Sequence, residues 1–314
     1  MEKQGLTVSC VLICYNQQQY IEAAVKGILS QSYDVDEFIF SDDCSTDETF
    51  AKLQIAVDKY GIGKNVTVRK NSSNKGLIAH VNTVMALSTG ELVVIAAGDD
   101  VSFPYRVEKI VETYLAAGRP MLLHSKAVAI DSFGEETGEE YPDVSLRKKL
   151  TIQESLLSQR IYLGASGAWS RDLIDKYGPI SYRHAYEDLI MGFRAVIEGR
   201  IEYIDECLLA YRTDVGISGG KVPLTGAECL ANRVAKIRRE KDIFLQRKDD
   251  VNKFGGVRVD LMEKLGRRIQ LVQVRSNFYE NRVALIRNLL MTPISFFDGV
   301  GGEVKFLIKY VFLR

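Results

Sequence analysis

The first hundred residues repeat one unit. An apolar, β-branched run stops on polar or acidic residues, and a helical pattern follows. TVSCVLIC (7–14) reads as a strand buried on both faces, the kind found in parallel sheets. Asn16 then opens IEAAVKGILSQ, where Ile21, Ala24, Val25, Ile28 and Leu29 recur at helical spacing. EFIFS (37–41) is a second strand, and Thr46 or Asp47 can cap a helix running to Tyr60. NVTVRK (65–70) is a third strand, LIAHVNTVMALS (77–88) a helix stopping at Gly90, and ELVVIAA (91–97) a fourth strand. This alternation predicts a mainly parallel sheet with helices on both faces and right-handed crossovers. In such sheets ligands bind beyond the carboxyl ends of the strands.

Three of those strand ends carry chemistry: Tyr15-Asn16, Asp42-Asp43 and Gly98-Asp99-Asp100. Adjacent carboxylates repel, so a rim of them needs a reason. They can hold ribose hydroxyls, a base or a divalent cation. Taken alone, Asp42 and Asp43 read as turn and cap residues. Two acidic pairs at neighbouring strand ends favour a site.

The 314 residues give room for one large domain and an appendage. An apolar content of 46% supplies a core, and 26% charged residues suit an ordinary soluble surface. Acids and bases balance at 41 each, so bulk charge is silent on nucleic acid, and no such partner is expected. The start, MEKQGLTVSC, has no apolar signal core, and no apolar run reaches the roughly 18 residues of a membrane span. Five scattered cysteines without CxxC pairs indicate neither a disulfide framework nor a zinc site. The expected compartment is a reducing cytoplasm.

After Pro104 the pattern loosens. RVEKIVETYLAAG is a helix, MLLHSKAVAI (121–130) a strand, and 131–145 an acidic loop. TIQESLLSQ is a short helix, and small residues surround Trp169, the only tryptophan. RDLIDKYG is another helix. Residues 181–199 pass from loop into helix with Glu187 and Asp188 in the first turn, and 201–213 hold two short strands. A boundary near 220 separates a domain of 1–220 from a charged helical region, 221–314. Its tail, PISFFDGVGGEVKFLIKYVFLR, mixes apolar residues with Lys305, Lys309 and Arg314. It can lie on a membrane surface, at the inner face of the cytoplasmic membrane, or pack on the domain or a partner subunit.

Together VSCVLICYNQQQYIEAAVKGILSQSY, FIFSDDCSTDET, NKG, AAGDD and YEDLIMGFRAVIEGRIEYIDECLLAYR resemble the inverting family 2 glycosyltransferases with the GT-A fold, over roughly residues 5 to 220. The resemblance implies a Rossmann-like α/β domain that moves a sugar from a nucleotide-diphosphate donor to an acceptor hydroxyl with Mg or Mn. The expected acceptor is a glycan or lipid-linked sugar of surface polysaccharide synthesis. It implies that Tyr15 flanks the nucleoside, Asp43 meets the base and Lys75 approaches the nucleotide. Asp99 lies near the ribose or donor sugar, and Asp100 binds the metal. Asp188 is the implied base, with Glu187 orienting acceptor or base. A hard cation suits carboxylate and phosphate oxygens. One base on one face suits inversion, and a helix N-terminus is expected to keep Asp188 ionised by lowering its pKa.

Two positions depart from the family pattern. Ala97 stands where a D-x-D motif has its first acid, and YRTD puts Asp214 where many members have His. The first is the motive for the alternative function, a protein that keeps the nucleotide cleft without turnover. Trp169 and His184 are candidate acceptor contacts, their bland readings being a core anchor and a structural loop residue. Arg212 either reaches the diphosphate or holds a neighbouring acid.

Overall fold

Strand β1 (Val8–Cys14) is buried almost throughout, as its unbroken apolar run requires. The chain turns through Asn16, in the left-handed region at φ 52°, and helix α1 (Ile21–Leu29) starts where the expected helical string begins. Its stripe Ile21, Ala24, Val25, Ile28 and Leu29 is buried on the sheet. Strand β2 (Glu37–Asp42), helix α2 (Thr49–Tyr60), strand β3 (Val66–Lys70), helix α3 (Leu77–Leu87) and strand β4 (Leu92–Ala97) complete the repeat. The computed structural model describes residues 5–141, 146, 148–215, 225–255 and 257–312.

β1 lies between β2 and β4, parallel to both, and β3 pairs parallel with β2. The register sets Cys14 beside Asp42 and Ile13 beside Ala97. The three strand ends therefore finish at one level, and Asp43 and Asp99 flank Tyr15 about two strand spacings, roughly 10 Å, apart.

The second half extends the same sheet. A short strand β5 (Val101–Ser102) precedes helix α4 (Arg106–Ala116) and strand β6 (Leu122–Ile130). Strand β7 (Glu136–Tyr141) lies within the stretch expected to be an acidic loop, and pairs antiparallel with β6. An exposed, charge-rich edge strand carries no apolar alternation to betray it. The end of that expected loop, 142–145, falls outside the described residues. Helix α5 (Ile152–Ser155) is followed by a 3-10 turn, Gly164–Ser166, strand β8 (Ala168–Ser170), helix α6 (Arg171–Tyr177) and helix α7 (Glu187–Ile197). Strand β9 (Ile201–Arg212) is one strand where two were expected, joined across register shifts against β6. The order is β3-β2-β1-β4-β8-β6-β9-β5, with β7 outside β6. β8 pairs antiparallel with β4 and β6, and β6 with β9 is parallel again.

Among the described residues four α-helices follow, α8 (Gly226–Phe254), α9 (Val259–Glu280), α10 (Arg282–Met291) and α11 (Pro293–Leu307), the last running into a π-helical turn, Ile308–Phe312. The hydrophobic core does not stop at 220. Ile237, Phe244 and Val251 of α8 and Leu265 of α9 belong to the cluster that holds Leu189, Ile190 and Phe193 of α7. Each such buried side chain contributes about 1.5–3 kcal/mol. Arg194 of α7, 1% exposed, also makes a two-pronged ion pair with Asp250 of α8, Nε to Oδ2 at 2.8 Å and Nη2 to Oδ1 at 3.1 Å. α11 is tied down in turn. Glu303, fully buried, accepts from Arg233, Arg275 and Tyr279 at 2.7–2.8 Å. No helix among the described residues is long and apolar enough to cross a membrane.

Candidate active site

The question raised by Asp42 and Asp43 divides between them. Asp42 is a turn-builder. It is fully buried, and its oxygens accept from Ser45 N at 2.8 Å and Ser45 Oγ at 2.5 Å. The small hydroxylic residues after it lace the turns beyond β1 and β2 together. Asn16 N donates to Ser45 Oγ at 2.9 Å, Thr46 N to Asn16 Oδ1 at 2.9 Å, and Gln17 N to Thr49 Oγ1 at 2.7 Å.

Asp43 faces the segment before α3. Its Oδ1 accepts from Asn71 Nδ2 at 2.7 Å and Lys75 N at 2.9 Å, and its Oδ2 from Gly76 N at 2.9 Å. A carboxylate offers about four acceptor positions, so one on Oδ2 remains for a ligand. Lys75 is thus brought to Asp43 through its backbone amide, and its side chain is exposed. Tyr15 stands 43% exposed between Asp43 and the acids at the end of β4.

Gly98 allows β4 to turn into those acids. A Cβ there would sit 2.4 Å from Gln17 Oε1 and 2.7 Å from the Cys14 Cβ. Asp100 is buried, with Oδ1 accepting from Arg212 N at 2.8 Å. Burial and then the neighbouring Asp99 charge push its carboxyl up to about 8. Burial also raises Asp99, against the hydrogen bond from Gln17. Arg212 is a holding residue, since Nε donates to Asp99 O at 3.0 Å and Nη1 to the carbonyl of Asp131. Asp214 is an exposed loop residue. Arg106, 1% exposed, donates to Ser102 Oγ, Ile95 O and Ala165 O at 2.8–2.9 Å, and its charge favours ionised Asp100.

That contact with Ala165 links the acids of β4 to α7. The Gly164–Ser166 turn presses on the first turn of α7, where a Cβ on Gly164 would meet Glu187 Oε1 at 3.1 Å and the Asp188 Cβ at 3.3 Å. Tyr186 is the residue before the helix and gives it no side-chain cap. Asp188 Oδ1 accepts from Leu189 N at 2.7 Å. The expected lowering of its pKa does not occur. Burial outweighs the helix terminus, the Leu189 amide and the charges of Arg247 and Arg239, leaving Asp188 raised to about 6. Burial and then the Asp188 charge drive Glu187 higher still, to about 8.

Arg247 of α8 forms the floor of this pair. It is fully buried, and Nη1 donates to the carbonyls of Ser155, Leu156 and Ser158 at 2.9–3.0 Å. Its Nη2 donates to Leu189 O at 3.0 Å. Arg106 and Arg247 escaped the sequence reading, since a helical arginine looks like surface. The one signal for Arg106 was its place just after the two acids.

Both acceptor candidates have other tasks. Trp169 is 1% exposed inside the sheet, opposite Val93 and Leu122, and donates from Nε1 to Tyr162 Oη at 3.0 Å. A ring enclosed in this way has no free face for a sugar, which corrects the stacking expectation. His184 has both ring nitrogens engaged, Nδ1 with Asp242 Oδ2 at 2.8 Å and Nε2 with Arg183 Nε at 3.0 Å. It fastens the loop before α7 to α8.

No three His, Cys, Asp or Glu side chains among the described residues form an all-protein metal cage, and Ala97 supplies no ligand. Asp99 and Asp100 fit a different donor set. Burial holds both carboxyls up, and the Asp99 charge adds to the ionisation penalty of Asp100, a penalty that a divalent cation held by the pair would relieve.

Comparison with known proteins gives the family and the fold. The model for glycosyl transferase family 2 matches residues 9–177, more than half of the chain, and the chain belongs to that family. EpsE of Bacillus subtilis, which carries a glycosyltransferase name, is 31% identical over 140 residues, 45% of this chain and 50% of its own length. The chain thus spans half of that relative. Staphylococcus aureus TarS, residues 1–349 in complex with UDP-GlcNAc, superposes with a TM-score of 0.60 at 17% identity, over 96% of this chain and 81% of TarS. A Pyrobaculum calidifontis mannosyltransferase in complex with GDP-Man and Mn2+ gives 0.54 at 16% identity, over 95% of this chain and 80% of that one. At these identities the likeness is one of fold, which is GT-A.

Proposed function

We propose that this protein is an inverting glycosyltransferase that moves a sugar from a nucleotide-diphosphate donor to a hydroxyl of a surface polysaccharide or its lipid-linked precursor. The observation that carries the reading is the unequal acid pair on α7, joined through the Gly164–Ser166 turn and Arg106 to Asp99 and Asp100. Family membership and the donors held by TarS and the mannosyltransferase support it.

On this reading Tyr15 flanks the nucleoside, and the open acceptor position on Asp43 meets the base. Asp99 and Asp100 are the residues that would hold a divalent cation, Mg or Mn, whose chemistry is neutralising charge on the departing diphosphate. Near neutral pH Asp188 is largely ionised while Glu187 keeps its proton. Asp188 takes the acceptor hydroxyl proton as that oxygen bonds to the anomeric carbon. The diphosphate oxygen leaves from the opposite face with the electrons of the broken bond, so the centre inverts. Glu187, protonated, repels neither Asp188 nor the acceptor oxygen.

The test is donor turnover across a panel of nucleotide sugars with Mn, for wild type and Asp188→Asn. The variant is expected to lose about a hundredfold or more, the usual worth of a general base, with nucleoside diphosphate binding kept. Wild-type binding without turnover of any donor would instead identify a protein that keeps the cleft alone.

A further inference from the structure

The outermost helix of the chain presents apolar side chains to water. Val283, Ile286 and Leu290 of α10 stand 80%, 64% and 78% exposed along one face. The row continues around the corner through Met291, Ile294 and Phe297, 66–79% exposed. Monomeric soluble proteins rarely leave such a continuous patch open. The same corner walls a cavity of about 580 Å³, with Met291, Pro293, Ile294 and the single acid Asp298 on one side and Lys264, Arg267 and Arg268 of α9 on the other. Arg268 is paired with Glu240. Lys264, Arg267, Arg287 and Lys305 are exposed and have no carboxylate partner among the described residues.

We propose that the α10–α11 corner and the basic lip of α9 form a docking face for an anionic phospholipid surface. The apolar row enters the acyl boundary, and the cations meet headgroup phosphates, one of them at the cavity.

Three observations select this occupant. A row of large apolar side chains edged by unpaired cations matches the two layers of an anionic interface. A second copy of the chain is a poorer match, because a two-fold contact sets this patch against itself and so gathers the exposed cations of both copies, Lys264, Arg267, Arg287 and Lys305, around one seam. The apolar row is also not held ready to fold inward. The opposite side of α11 is already engaged, through Glu303, with Arg233, Arg275 and Tyr279.

The face has a geometric consequence for acceptors. Leu157, on the cavity wall, lies in the 155–158 segment whose carbonyls Arg247 grips. The same guanidinium holds Leu189, next to Asp188. A bilayer on this face sits one segment of chain from the acid pair.

The proposal stands apart from the transfer chemistry, and its experiment reads a different quantity. Full-length protein is floated with vesicles of phosphatidylglycerol and phosphatidylcholine, and with phosphatidylcholine alone. Binding is expected with the first only. Combined Ile286→Ser, Leu290→Ser and Ile294→Ser should lower the bound fraction roughly tenfold or more. Arg267→Gln with Arg287→Gln should lower it on the order of tenfold, and high salt should act in the same direction. All substituted residues are exposed, so an unchanged melting curve and unchanged donor turnover certify the fold. Truncating the tail would be a poorer test, since it strands Arg233, Arg275 and Tyr279, the half-buried partners of Glu303. Absence of flotation, indifference to both variants, or a lipid-free dimer in light scattering that the serine variants dissolve would overturn the proposal.

Discussion

Acidification tests the unequal pair on α7 most directly. Only ionised Asp188 can accept a proton, and burial places its pKa at about 6. The sign follows: activity is complete above that value and falls as pH drops through it. A group titrating at 6 is about nine-tenths ionised at pH 7 and about one-eleventh at pH 5, a loss of roughly tenfold. An ordinary aspartate, titrating near 3.9, would lose less than a tenth over the same interval. The assay is kcat/KM against pH with saturating Mn at each point, because Asp100 also binds protons in this range. The Glu187→Gln variant separates the contributions. Glu187 is protonated and neutral at pH 6, so replacing it with the neutral amide leaves the acid limb near 6. A profile flat down to pH 4.5, or a limb that moves to the ordinary aspartate range in that variant, would refute burial as the cause.

Asp100 and the α7–α8 bridge give predictions of other kinds. Because burial raises the Asp100 carboxyl, its contribution to stability is present in acid and lost as pH rises through about 8. Asp100→Asn should therefore raise the cation-free melting temperature at pH 8.5 yet abolish the further rise given by UDP or GDP with Mn; a fall in both would contradict it. Removing one partner of the Arg194–Asp250 pair, by Arg194→Met or Asp250→Leu, should cost about 3–5 kcal/mol in urea unfolding, and the double variant less than either single one, since no buried charge is left alone.

What the sequence disclosed follows from what each residue type can show alone. β1, β2 and β4 were legible because strands covered on both faces must be apolar throughout. Asp43, Asp99 and Asp100 were legible because they interrupt those runs at one level of the sheet. β7 was not, because its side chains face water. Periodicity shows which face of a helix is apolar but not which charges are matched from a distant segment. Arg194, Arg247 and Asp250 thus looked like ordinary surface, whereas they are buried between α7 and α8. The same blindness reversed the sign at Asp188: position on a helix is local, but its enclosure by Tyr162 and the Gly164 turn comes from elsewhere in the chain. Trp169 had two readings until β8 was seen to run inside the sheet.

The origin of the floor beneath Asp188 matters during synthesis. Every strand of the sheet precedes residue 213, but Arg247, which pins both the 155–158 segment and the start of α7, is translated afterwards. A nascent chain that has emerged only as far as β9 has a finished sheet and an unsupported Asp188. The enclosure of Asp188 is thus completed late, by the helix that carries Arg247.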